Sequence, residues 1–89
     1  MYHGEYRPGG RVKQGRLTDK VLYDICYIER NMEHAYHYGR KALYLESQKD
    51  MRAIAKYVQK CGLKVDMRRA CEHYYLYNIV REALNTQED

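Results

Sequence analysis

The chain has no phenylalanine, no tryptophan and a single proline in 89 residues. All its aromatic area therefore comes from tyrosine, of which there are 11. A buried tyrosine needs a partner for its hydroxyl, so such a chain sets its rings where apolar and wet surfaces meet, the places interfaces also favour. Leu, Ile, Val and Met together number 20, which is a lean core. A chain this short forms one domain at most and has no room for a two-domain catalytic cleft. Small domains with lean cores often gain stability from a second subunit, and a homo-oligomer is expected here.

Cysteine is scarce and odd in number: Cys26, Cys61 and Cys71. The N-terminal "MYHGEYRPGG" has no apolar stretch of the signal-peptide kind, so the expectation is reduced thiols in a cytoplasm, that of the host cell if the chain is phage-encoded. No run approaches the ~18 apolar residues a membrane span needs, and no membrane partner is expected. Neither C-x-x-C nor H-E-x-x-H occurs. The nearest approach to a metal set is His34 and His37 with Glu29 or Glu33, joined by Cys71 or His73. Cys71 and His73 diverge if they stand two apart on a helix, so neither a metal nor a cofactor is expected.

The net charge of +4 is unevenly spread. Residues 1–16 carry Arg7, Arg11, Lys13 and Arg16 against Glu5, and residues 39–69 carry nine bases against Glu46, Asp50 and Asp66. Residues 17–38 and 70–89 lean acidic. The first segment also holds Gly4, Gly9, Gly10, Gly15 and Pro8 without an apolar period. It cannot bury enough to offset its backbone entropy, so residues 1–16 read as a flexible, disordered basic arm.

From residue 17 to 86 the pattern is that of one all-α domain, and residues 87–89 should fray. Thr18 or its neighbours can cap a first helix whose seam falls at Val21, Ile25, Ile28, Met32, Ala35, Gly39 and Ala42. Unbroken from about Asp19 to Glu46 it would be ~42 Å long, with Gly39 as a close-approach point or a place to bend. Ser47 and Asp50 resemble a capping box and mark a second helix with Met51, Ile54, Ala55, Val58 and Cys61 inward, ended by Gly62 in a left-handed cap. Asp66 should cap a third helix over Met67–Leu84. Its apolar residues occupy several sides, so it calls for neighbours beyond two helices of one chain. The expected architecture is three helices, a long first and two shorter, behind a disordered arm.

The densest chemistry lies in "ERNMEHAYHYGR", residues 29–40. Helical spacing splits it into two rows, Arg30, His34, Tyr38 and Glu29, Glu33, His37. The first row recurs as Arg69, His73, Tyr77 in "RRACEHYYLY". Arg and Tyr in such rows are the side chains interfaces favour, and both rows are candidate helix interfaces. For nucleic acid the candidates are Arg7, Arg11, Lys13 and Arg16 of the arm, with Lys49, Arg52, Lys56, Lys60, Lys64, Arg68 and Arg69, a set of bases able to follow phosphates.

Arg68, His73 and Tyr75 fit R-x4-H-x-Y, which resembles the signature of HEPN-type nucleases over eight residues. That resemblance implies a helical dimer cleaving RNA, with His73 as the catalytic group and Arg68 near the scissile phosphate. Size and the thinness of other chemistry favour a different reading. The chain is expected to be a small non-enzymatic binding or regulatory protein, of the kind frequent among phage and mobile-element regulators and inhibitors. It would act through helix faces on nucleic acid or on a nucleic-acid-handling protein. A purely protein–protein adaptor is the further alternative.

Overall fold

The structure, a computed structural model, describes residues 17–87. The expected arm with Arg7, Arg11, Lys13 and Arg16, and the last two residues of the expected frayed tail, lie outside the described residues. Helix α1 spans Asp19–His37, α2 spans Lys41–Lys60 and α3 spans Tyr75–Gln87, with one 3-10 turn at Met67–Arg69 between α2 and α3. The all-α, three-helix expectation holds, and among the described residues there is no strand. No described helix is long and apolar enough to cross a membrane.

The first helix does not run to Glu46. It stops at His37, because Gly39 adopts φ +63°. The Arg40 amide donates to the Ala35 carbonyl at 2.9 Å and the Gly39 amide to Tyr36 at 3.4 Å. These two bonds define a Schellman cap, which satisfies carbonyls the helix end would leave orphaned. Gly62, at φ +98°, ends α2 in the same way, with Leu63 donating to Val58 and Gly62 to Gln59. Thus α1 and α2, of 19 and 20 residues, are near equals joined by a three-residue turn, an αα-hairpin.

Two further expectations are corrected. Ser47 does not cap a helix; it lies six residues inside α2 and is 3% exposed. The helix start is carried instead by the Schellman turn, after which the Tyr44 amide bonds the Arg40 carbonyl at 3.0 Å. Nor is Met67–Leu84 one helix. Asp66 does cap, its Oδ1 accepting from the Arg68 amide at 3.0 Å, but what it caps is the 3-10 turn. The chain then turns again, passes through Tyr74 at φ +64° and enters α3.

That break explains the apolar residues on several sides. Met67, Ala70 and Cys71 belong to the connection, whose 3-10 turn lies against α2, whereas Leu76 and Val80 belong to α3, which packs on α1. The core joins Val21, Ile25, Ile28 and Met32 of α1 to Met51, Ile54 and Val58 of α2 and to Leu76 and Val80 of α3.

Candidate functional site

Helix α1 buries one stripe and shows the other. On its exposed side Tyr23, Tyr27, Arg30, His34 and Tyr38 follow one another at steps of 4, 3, 4 and 4 residues, a continuous row about 22 Å long. The Arg30, His34, Tyr38 row is therefore real, with the His34 and Tyr38 rings 4.7 Å apart. It faces solvent instead of packing between helices of this chain, and it begins two turns earlier than expected. Tyr23 is 70% exposed.

The companion row is not uniform. Glu33 and His37 are exposed and 4.0 Å apart, but Glu29 is buried, at 6% exposure. Its Oε2 accepts the backbone N–H of Tyr74 at 2.9 Å. Burial pushes the Glu29 carboxyl up and Glu33 adds to that, while the Tyr74 N–H and nearby His73 pull it down. The bond ties α1 to the residue before α3, where the carboxylate also meets the positive end of the helix dipole. Tyr74 is held in a left-handed conformation that side chains other than glycine seldom adopt. Its ring lies 4.1 Å from that of His73 and 5.8 Å from that of Tyr77.

This turn and α1 enclose a cleft of about 600 Å³, with Tyr23, Tyr27, Arg30, Glu33, His73 and Tyr74 among its walls. A shallower one of about 400 Å³ lies on the other side of Glu29 and Glu33, reaching Tyr36, Tyr44 and Cys71. Among the described residues no three of His, Cys, Asp and Glu come together as a metal site.

Lys49, Arg52, Lys56 and Lys60 step along α2 at 3, 4 and 4 residues, and all four are exposed. None of them forms an ion pair among the described residues. Arg52 Nη1 stands 3.9 Å from Cys71 Sγ, and the Cys71 Sγ–H points to the Gln48 carbonyl at 3.6 Å. Burial raises the Cys71 thiol's pKa and Arg52 opposes the rise. Lys64, also exposed, lies past the α2 cap.

Arg68 and Arg69 are engaged locally. Arg68 contacts both Asp66 oxygens, at 3.3 and 3.4 Å, and the Asp66 carboxyl is held below its ordinary pKa by these bonds and the Arg68 amide. Arg69 Nε bonds Glu72 at 3.1 Å, and its guanidinium sits 4.4 Å over the Tyr75 ring.

The expected row Arg69, His73, Tyr77 does not exist: the three lie in the 3-10 turn, the following turn and α3. The two segments that share this Arg, His, Tyr spacing thus fold differently, one in α1 and the other as a turn leading into α3, and are not a structural repeat. Arg68, His73 and Tyr75 are likewise divided. His73 lines the larger cleft and Arg68 does not, while the Tyr75 hydroxyl accepts the Asp66 amide at 2.9 Å.

Sequence reasoning missed Tyr23, Tyr27 and Tyr74, and placed Glu29 in a row without its bond to Tyr74. The same one-turn spacing that found Arg30 and His34 reaches the first two if carried backwards. Glu29 and Tyr74 had no such signal, since their contact spans 45 residues and depends on the break before α3. Compared with family models, with curated proteins and with solved structures, the chain matches none.

Proposed function

We propose that this is a non-enzymatic binding protein that engages nucleic acid through the basic row of α2. The observation that carries this is the set of four exposed cations, Lys49, Arg52, Lys56 and Lys60, spanning about 17 Å of one rigid helix without carboxylate partners among the described residues. Cations fixed in a row release counterions when phosphates replace solvent, which gives sequence-independent affinity that falls with salt. Arg68 and Arg69 stand close by in sequence and space, and their exposed pairs with Asp66 and Glu72 are weak enough for a phosphate to displace. Cytoplasmic placement agrees with the three free cysteines.

The ribonuclease reading has less support, because Arg68 stands outside the cleft that His73 lines. The test is fluorescence anisotropy with labelled oligonucleotides over a salt series. Reversing Lys49, Lys56 and Lys60 to Glu should weaken binding and reduce the salt slope by roughly 2–3. Full affinity in the reversed protein would reject the α2 surface, and wild-type protein that binds no oligonucleotide would reject the function.

A further inference from the structure

We infer that the cleft between α1 and the turn ahead of α3 takes an unpaired nucleobase, so that the preferred partner is single-stranded nucleic acid. This rests on the reading of α2 as a phosphate-binding row. Tyr23 and Tyr27 stand one turn apart on α1, and Tyr74 faces them from the opposing turn, around about 600 Å³. That volume falls within the range of about 300–1,000 Å³ typical of small-ligand sites.

The polar groups select the ligand. Tyrosines with a carboxylate alone would suit a cation. Here Arg30 and His73 share the walls with Glu33 and with Glu29, whose Oε2 already accepts the Tyr74 N–H, so donors and acceptors surround the space together. A flat, neutral heterocycle with both kinds of edge group satisfies that mixture better than a cationic side chain does. Aromatic faces stack any base, which is how proteins hold single strands without reading sequence. A base inside a duplex is already stacked and paired and cannot enter.

Two further observations agree. Tyr74 holds φ +64°, a strained conformation fixed by its bond to Glu29, and strain of this kind collects at ligand clamps. One member of the basic row also lies near the cleft in chain terms. Arg52 touches Cys71, and Tyr74 follows Cys71 by three steps of the chain, at most about 11 Å when extended. Phosphates on α2 and a base between the tyrosines can belong to one strand.

The experiment compares a labelled single strand of about 16 nucleotides with the corresponding duplex at one salt concentration. The proteins are wild type, the Tyr23→Ala/Tyr27→Ala pair, Tyr74→Gly, and the Lys49, Lys56, Lys60 reversal, each checked for helicity by circular dichroism. Wild type should favour the single strand about tenfold or more. The tyrosine variants should lose about five- to a hundredfold on the single strand, as alanine substitution of stacking rings does, and change little on the duplex. The charge reversal should weaken both. Equal wild-type affinity for strand and duplex, or equal losses on both from the tyrosine variants, overturns the stacking inference and leaves the α2 reading standing. Failure of wild type to bind either overturns both.

Discussion

Replacing Glu29 separates its charge from its hydrogen bond. In Glu29→Ala the Tyr74 N–H loses its 2.9 Å acceptor, at a point where the backbone is strained and α3 is about to begin. A hydrogen bond to a charged group is worth about 1.5–3 kcal/mol. Glu29 is buried but borders two open clefts, so solvent can partly replace the lost acceptor and a cost of about 2 kcal/mol is expected. A domain of this size holds roughly 4–10 kcal/mol in all, and the loss should lower Tm by about 10 °C.

Glu29→Gln retains an acceptor and nearly the same shape, so it should cost much less. It should also change the pH profile in a defined direction. Because the folded pKa of Glu29 lies above its ordinary 4.5, the folded chain keeps this proton at pH values where the unfolded chain has lost it. The resulting stabilisation is full below 4.5 and disappears as pH rises through the folded value. Glu29→Gln should remove that component and flatten the curve above pH 4.5. Thermal unfolding followed by circular dichroism across mildly acidic to neutral pH measures both effects. An alanine variant melting within a degree or two of wild type, or a glutamine variant as unstable as the alanine one, would refute the account of Glu29 as the acceptor holding this turn.

Three smaller predictions concern the helix ends and the turn. Ser47→Ala should leave stability unchanged or raise it by up to about 0.5 kcal/mol, since Ser47 is inside α2 and alanine is the better helix former; a capping serine would instead lose about 1 kcal/mol in urea unfolding. Gly39→Ala should cost about 1–2 kcal/mol for its positive φ alone, as nothing lies within 4 Å of the added carbon. Tyr74→Gly should relieve strain of about 1–2 kcal/mol but lose part of that to unfolded-chain entropy, so its melting temperature should stay within a few degrees of wild type while the ring is gone.

Where the sequence was legible, the signal was local. Periodicity identified Val21, Ile25, Ile28 and Met32 as one buried face and Met51, Ile54 and Val58 as another, because burial on a helix repeats with the helix. Gly62 and Gly39 make the same cap, yet only Gly62 was read as one. It is followed by a stretch without a helical period, whereas Gly39 falls on the extrapolated seam of α1 and looks like a small packing residue. Ala42, the next member of that seam, is exposed, because the Schellman turn resets the helical phase. Ser47 and Asp50 showed the limit of a motif without context, since S-x-x-D inside a helix has the same letters as a cap. At the candidate site, the bases of α2 were legible from their charge and three of the five residues of the α1 row from their spacing. The cleft did not, because it needs α1 and the turn before α3 to meet.

The segment between α2 and α3 gives up helix to achieve that meeting. Residues 61–74 hold a single 3-10 turn and are fixed by individual bonds: Gln59 Nε2 to the Val65 carbonyl at 3.1 Å, the Asp66 amide to the Tyr75 hydroxyl at 2.9 Å, and the Tyr74 amide to Glu29. A continuous helix from Met67 would have satisfied its own backbone and needed none of them. It would also have carried His73 and Tyr74 around a cylinder, with their neighbours in sequence a hundred degrees apart. The broken path sets His73 and Tyr74 over the exposed row of α1 and leaves Arg68 and Arg69 next to α2. Irregular backbone is commonly where function resides, because its geometry is set by the residues it must present. On the proposed reading its two ends serve two surfaces, and Glu29→Ala, which loosens it, should lower affinity for the single strand while leaving duplex affinity unchanged in the anisotropy assay; equal losses on both would refute this division.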